Sequence, residues 1–530
     1  MPKLTFYGGV DEIGGNKILL EEGDTKVFLD FGMSFSEEGK FFEFPLLRPT
    51  NIDDLRKINV VPELEGLYKN AGLKVIYQPD GEFAVDGIPE DKRIDAMILS
   101  HGHLDHSGYL GLVRPDIPIY SSAATKKFLK LRSDINKNWA GESSQESFDI
   151  IGVDEKRQIG KDLTIRRFDV DHSIVGASAY LIRTEYKKIV YTGDFRFHGY
   201  RQKETEYFQN EIAKENIDVL IIEGTRLGRL DEEKALDTEE EVFETACEFT
   251  KKEKGLVIYD ASPADIDRVK TLSRVAKETG REIVMDDKKA YFILYLNHNE
   301  QKNLVEDLPG IEDFKIYLSR GKLKKTSKKF SENIFSEDNL FVENFIEGRS
   351  GHQKILLASQ IMKSKKSLHK SESENYDTFA TTLKKSKNKE DFFKTIKIPT
   401  EKFIWGPLGR QEILSNPEKY ILYTSNGPLT LLQFVPVGKK IEGTYIYGKA
   451  EPFNEEMEFS FDVLKNWIKL AGLNMKYAHT SGHASTDDLK KFIQAVKPKC
   501  VIPIHTTNAT MFEKFTDKVL RPELKKSLEL

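Results

Sequence analysis

Short runs of alternating or continuous apolar residues, each closed by Gly, Asn or Asp, dominate the first third of the chain. KLTFYGG (3–9), NKILLEE (16–22) and TKVFLDFG (25–32) read as strands. Residues 36–93 are more polar, with one helical piece expected at PELEGLYKNAG (62–72). The strand RIDAMILS (93–100) then runs straight into SHGHLDHSG (100–108), and the helix-like GYLGLV (108–113) follows. Beyond it PIYSS (118–122) reads as a strand and AATKKFLKLRSDI (123–135) as a helix. LTIRRFDVDH (163–172), ASAYLIRT (177–184), KKIVYTGD (187–194) and DVLIIEG (218–224) complete a series of strands.

Near residue 225 the texture changes to a regular exchange of amphipathic helices and wholly apolar strands. TEEEVFETACEFTKKEK (238–254) and ADIDRVKTLSRVAKETG (264–280) have helical periodicity, while GLVIYDAS (255–262) and REIVMDD (281–287) read as strands. Later, EKYILYTS (418–425), GTYIYG (443–448) and KCVIPIH (499–505) read as strands, with EFSFDVLKNWIKLAG (458–472) as a helix. Strands mixed with helices of this length imply layered α/β architecture. The segment 363–402, rich in Lys, Ser, Asn and Glu, reads as a mobile, solvated insertion.

Composition narrows the classes. A chain of 530 residues exceeds one ordinary core, and 39% hydrophobic with 31% charged residues is the mixture of a water-soluble globular protein. A formal net charge of −5 offers no global attraction for polyanions. The two cysteines, Cys247 and Cys500, exclude a disulfide framework, and Cys500 reads as a small core residue. MPKLTFYGG lacks the apolar core of a signal peptide and no run of 18 apolar residues occurs, so a cytoplasmic protein without membrane contact is expected.

The chemistry concentrates in SHGHLDHSG. His101, His103, Asp105 and His106 follow a strand and open a helix, and imidazoles with a carboxylate at that spacing suit Zn²⁺ or a similar transition metal. The competing reading is a histidine-rich surface loop. One cluster is not a complete site, and His172 (in DHSIVG), Asp194 (in VYTGDF) and His505 (in VIPIH) stand just after strands, where ligands could join it. Each alone could equally be a capping or core polar residue. Together they supply three histidines for one metal, a histidine and Asp105 for another, and a bridging carboxylate.

GGVDEIGGNKILLEEGDTKVFLDFG (8–32), SHGHLDHSG, DHSIVG and YTGDF resemble the successive motifs of the metallo-β-lactamase fold. IIEGT (221–225), HTSGHAS (479–485) and IPIH (502–505) resemble motifs A, B and C of the β-CASP nucleases, in the manner of ribonuclease J. The resemblance implies an α/β fold: a metallo-β-lactamase αβ/βα sandwich formed by 1–224 and 480–530, with an α/β β-CASP domain at 225–479 inserted. It implies two divalent ions, zinc or manganese: His101, His103 and His172 at one, Asp105, His106 and His505 at the other, Asp194 between them. Asp30 would orient a ligand histidine, and His483 would act as general acid beside Glu223. His479, Ser481 and Ser485 could contact phosphate, or be ordinary turn residues, and His198 could line the cleft.

The implied activity is a metal-dependent ribonuclease, 5′-exonuclease or endonuclease, acting on single-stranded RNA through water activated by two metals. A DNA nuclease, a small-molecule ester or thioester hydrolase of the same fold, and a non-catalytic RNA-binding scaffold are the rivals. The basic segments 315–329 and 350–370 could attract a phosphate backbone, with Tyr317 and Phe330 as stacking candidates. His298, His352 and His369 belong to no constellation. Where ribonuclease J has a Gly-Ser-Gln element this chain reads YTSNGPLTLL (423–432). It ends about 25 residues after His505, so a dimer would have to form without the family's C-terminal domain.

Overall fold

Residues 27–29 point alternately to opposite faces of a strand: Val27 and Leu29 enter one core and Phe28 another. Ala96 and Ile98 repeat the division against Met97 and Leu99. In a computed structural model of the protein, this parity separates two layers of core on either face of one sheet. The structure describes residues 1–43, 46–69, 75–77, 83–85, 94–135, 147–228, 235–297, 307–318, 402–450 and 455–530.

The chain divides into two compact units, Met1–Lys234 with Ser481–Leu530, and Ala235–Thr480. In the first, one sheet runs in the order Ser527–Glu529, Lys3–Gly8, Lys17–Glu22, Thr25–Leu29, Ala96–Ile98, Ile119–Ser121, Phe148–Ile150. The second runs Cys500–Ile504, Val219–Glu223, Lys188–Tyr191, Ser178–Arg183, Leu163–Asp169, Lys156–Ile159. Leu4, Phe6, Ile18 and Leu20 of the first sheet pack against Ile165, Ile182, Ile189 and Ile221 of the second, forming the sandwich core. Cys500 lies at its margin, partly buried. The outer face of the first sheet is covered by Leu55, Val60, Leu67, Tyr68 and Tyr109.

Register places the functional loops. Thr25–Leu29 and Ala96–Ile98 are parallel, as are Lys188–Tyr191, Val219–Glu223 and Cys500–Ile504. Their carboxyl ends therefore lie side by side, and the residues that follow them share one rim.

The second unit holds a seven-stranded, all-parallel sheet in the order Phe403–Trp405, Phe314–Leu318, Glu282–Asp286, Tyr420–Thr424, Leu256–Asp260, Gly443–Tyr447, Asn474–Tyr477. Tyr420–Thr424, Leu256–Asp260 and Gly443–Tyr447 are buried along their whole length, which explains their unbroken apolar sequences.

Two local expectations fail. PELEGLYKNAG is not helical over its described residues 62–69; the helix is Ile52–Lys57, capped by the Asn51 side chain. Pro62 and Gly66, the latter at φ 78°, break helical geometry there, while Leu67 and Tyr68 are drawn flat onto the sheet. GYLGLV shrinks to one 3₁₀ turn, Leu110–Leu112. The insertion 363–402, apart from Lys402, lies outside the described residues, as do 319–329 and 350–370 of the basic segments, Phe330, His298, His352 and His369.

Candidate metal centre

Seven buried or half-buried side chains meet on the rim of the first unit. His101, His103 and His172 form one group, and Asp105, His106, Asp194 and His505 form a second. His103 Nδ1 lies 3.1 Å from both His101 Nε2 and His172 Nε2. In the second group, His505 Nε2 is 3.1 Å from Asp105 Oδ2, and His106 Nε2 is 3.1 Å from Asp194 Oδ2. The same Asp194 oxygen is 3.7 Å from His101 Nε2 and 3.9 Å from His172 Nε2, so this carboxylate faces both groups.

The outward nitrogens decide what the inward ones present. His172 Nδ1 donates to the Gly482 carbonyl at 2.5 Å, and His106 Nδ1 to Asp30 Oδ2 at 2.7 Å. Ser100 Oγ donates to Asp30 at 2.6 Å and can therefore accept from His101 Nδ1 at 3.0 Å. Thr225 Oγ1 donates to Glu223 at 2.6 Å and accepts from His505 Nδ1 at 2.8 Å. In these four histidines an outward Nδ1–H so placed leaves the inward Nε2 as a lone pair, while His103 turns Nδ1 inward. Lone pairs about 3 Å from one another or from a carboxylate repel unless a cation lies among them.

Two further observations fit a metal. Asp194 Oδ1 is buried with no hydrogen-bond partner among the described residues, and His106 Nε2 faces only the Asp194 and Asp105 carboxylates. Burial holds His101, His103 and His172 below the ordinary imidazole value, His103 at about 4, so they present neutral nitrogens. In the second group burial opposes charge, yet Asp194 and Asp105 outweigh it, raising His106 and taking His505 to about 9. Burial also opposes the charge on Asp105 and Asp194, but the neighbouring histidines hold both carboxyls below the usual range. A positive charge is thus demanded at that half-site, and a metal can supply it in place of protons.

The loops have their own anchors. Asp30 and His505, at strand ends, take φ values of 57° and 53°, the left-handed region that L-residues adopt at a cost. Asp30 holds that turn by accepting from Ser100 N at 2.7 Å as well as from His106. Gly32 is required by contact: a Cβ there would sit 1.6 Å from the Asp105 carbonyl oxygen.

Beside the seven, His483 Nδ1 lies 3.2 Å from Glu223 Oε1 and 3.8 Å from Asp194 Oδ2, and these three form a further group. Glu223 is fully buried, whereas the His483 side chain is 22% exposed. Glu223 also accepts from Phe195 N and Thr225 N. Ser481 orders this segment: its hydroxyl accepts from His483 N, and its carbonyl accepts from Arg196 Nη1 and His198 Nε2, both at 2.8 Å. Ser485 caps the helix Thr486–Val496 in a reciprocal bond with Asp488, so its hydroxyl already has work in the fold. His479 belongs to the second unit, with Nδ1 3.2 Å from Arg268. Tyr317 packs on Phe434 there.

Sequence reading missed Thr225 as the link between Glu223 and His505, and Gly482 as the partner of His172. Thr225 closes the motif IIEGT (221–225), which marks it in sequence; nothing local marks a glycine carbonyl as a histidine's partner.

Parts of the chain are similar to known proteins. Residues 70–254 match the β-lactamase superfamily domain, and 468–513 the Zn-dependent metallo-hydrolase RNA specificity domain. Ribonuclease J of Pyrococcus abyssi is 26% identical over 290 residues, 54% of this chain and 58% of that protein. Ribonuclease J 2 of Streptococcus pyogenes is 25% identical over 313 residues, 58% of this chain and 49% of that protein. The RNase J-like protein of Methanocaldococcus jannaschii is 32% identical over 264 residues, 49% and 51% of the two chains. The aligned regions thus span about half the length of these relatives. A crystal structure of a protein of unknown function from Enterococcus faecalis V583 superposes over the whole of both chains with a TM-score of 0.64 at 20% identity, which speaks to the fold alone. Among the described residues no helix is long and apolar enough to cross a membrane. The chain has the metallo-β-lactamase fold, carries a match to an RNA specificity domain, and over about half its length is similar to ribonuclease J proteins.

Proposed function

We propose that this chain is a metal-dependent ribonuclease that hydrolyses phosphodiesters in single-stranded RNA. The observation that carries the reading is the place of His483: a partly exposed imidazole beside buried Glu223 and beside the carboxylate of Asp194, which faces both ligand groups. His101, His103 and His172 would hold one divalent ion, Asp105, His106 and His505 a second, with Asp194 shared. Zinc suits the imidazole-rich half and manganese the carboxylate-containing one. Bound there, the ions would supply a nucleophilic water of lowered pKa and neutralise phosphate charge.

The remaining work belongs to the chain's own groups. Asp30, Ser100, Thr225 and the Gly482 carbonyl orient the ligand histidines, so their lone pairs converge without rearrangement. His483 donates Nδ1–H to Glu223, which leaves Nε2 to face substrate. In its imidazolium form His483 carries a second proton on Nε2, and this proton passes to the departing 3′ oxygen, leaving a neutral imidazole, a 3′-hydroxyl and a 5′-phosphate. Ser481, held through its carbonyl by Arg196 and His198, sets the height of the imidazole.

The test uses 5′-labelled and 3′-labelled single-stranded RNA with Zn²⁺ or Mn²⁺, comparing the wild-type protein with His483→Ala. Cleavage reduced by about 10²–10⁴-fold in the variant is expected for a lost general acid. Equal cleavage by both proteins would remove His483 from the chemistry. Intact RNA beside cleaved DNA would reassign the substrate, and the label that survives separates 5′-exonuclease from endonuclease action.

A further inference from the structure

In the second unit the strands Glu282–Asp286 and Tyr420–Thr424 are neighbours only over Glu282–Val284 and Tyr420–Leu422. Past that point each turns to its other partner. Met285 and Asp286 pair with Ile316 and Tyr317, while Tyr423 and Thr424 pair with Tyr259 and Asp260. The two strands splay at their carboxyl ends, and a cavity of about 110 Å³ opens in the gap. The chain leaves these strands in opposite directions along the sheet, one toward Phe314–Leu318 and the other toward Gly443–Tyr447. Open parallel sheets bind ligands in such crevices, outside the strand ends where the connections reverse.

The lining specifies a class of ligand. Val284, Leu422 and Phe434 give buried apolar walls, and the ring of Tyr317 lies 4.9 Å from that of Phe434 at 51°. Tyr423 is only 4% exposed, and its hydroxyl has no hydrogen-bond partner among the described residues. A buried phenol without a partner costs about 1–3 kcal/mol, so its retention calls for an acceptor. Burial also keeps this phenol neutral, hence a donor. The one cation of the lining, Lys289, is paired with Asp286 at 2.7 Å, leaving the lining without the unbalanced positive charge a phosphate would need. The cavity is smaller than the roughly 150 Å³ that holds benzene, so it admits at most one six-membered ring.

We propose that this crevice binds a single pyrimidine ring, with the Tyr423 hydroxyl donating to a ring carbonyl. Choosing a nucleobase among small heteroaromatics rests on the ribonuclease reading above; the cavity and its donor do not. The base can come from single-stranded RNA or from a free nucleoside, and the shared chemistry is the same.

The test is ligand-observed NMR on the full chain in excess chelator, with uridine, adenosine and a short oligouridylate. Uridine should bind in the millimolar range and adenosine more weakly. Tyr423→Phe should weaken uridine about fivefold, the worth of one neutral hydrogen bond, without lowering the thermal midpoint. Leu429→Trp, at a wall residue that is 49% exposed, should block the mouth while leaving the fold intact. Oligouridylate displacing uridine identifies RNA as the source, and failure to displace it identifies a free nucleoside. No uridine binding, adenosine binding as tightly, or uridine binding unchanged in both variants would overturn the proposal. RNA cleavage by a protein that ignores uridine would leave the ribonuclease reading standing; uridine binding without RNA cleavage would leave the pocket standing.

Discussion

The Thr225 hydroxyl lies 2.8 Å from His505 Nδ1 and 2.6 Å from Glu223 Oε2, joining a candidate metal ligand to the candidate partner of the general acid. One small side chain thus sets the orientation of two groups that stand 282 positions apart in the sequence, at 223 and 505.

Thr225→Val keeps the shape and removes that link. Two buried polar atoms lose a partner, and kcat on RNA should fall about 10–100-fold with little change in KM. Thr225→Ser should restore most of the rate. A rate unchanged by Thr225→Val would show that the link is structural ornament.

Metal stoichiometry tests the division of ligands. His172→Ala and His505→Ala should each lose about one ion per chain, whereas Asp194→Ala should weaken both sites. Elemental analysis after dialysis reads the result directly. Loss of both ions from His172→Ala would contradict two separable half-sites.

Asp30→Asn tests the outer partner of His106. The amide keeps the size of the carboxylate but removes its charge, so metal affinity at the second half-site should drop about 10–100-fold. Competition with a chromogenic chelator measures it. Equal affinity in both proteins would end the positioning role of Asp30.

Lys17 gives a pH signature of the loop beneath the site. Its ammonium is buried, donates to the Gly15 and Gly32 carbonyls, and burial lowers its pKa from 10.5 to about 8. The folded state therefore releases this proton more readily than the unfolded state. Below pH 8 both states are protonated and the folded form bears the whole penalty, on the order of 3 kcal/mol. As pH rises from about 8 toward 10.5 the penalty is relieved, so stability should increase relative to Lys17→Met. Urea unfolding of both proteins across that range is the measurement. Parallel curves would show that Lys17 does not titrate in the folded state.

Most of the strands were legible because each core layer demands a fixed parity or an unbroken apolar run. Ala123–Ile135 and Leu256–Asp260 match their sequence signals almost residue for residue. The segment around Pro62–Lys69 was misread because a helix-like spacing of apolar residues there serves a flat cover over the sheet. Asp287–Asn297 was missed as a helix because nearly all its faces are buried, so no polar stripe betrays its period.

The sequence by itself determined the chemistry available to this protein. Three histidines and an aspartate within six positions after a strand can hardly serve another purpose, and local chain geometry is enough to gather them. What those four residues join was decided by tertiary structure. His172, Asp194, Glu223, His483 and His505 come from distant loops, and only the assembled sheets, with parallel and antiparallel pairs together, bring them to one rim. The tautomers that aim the lone pairs inward depend on Asp30, Ser100, Thr225 and the Gly482 carbonyl, contacts that no local pattern encodes. The crevice at Tyr423 is likewise a product of two strands parting, a feature that exists only once the sheet is built.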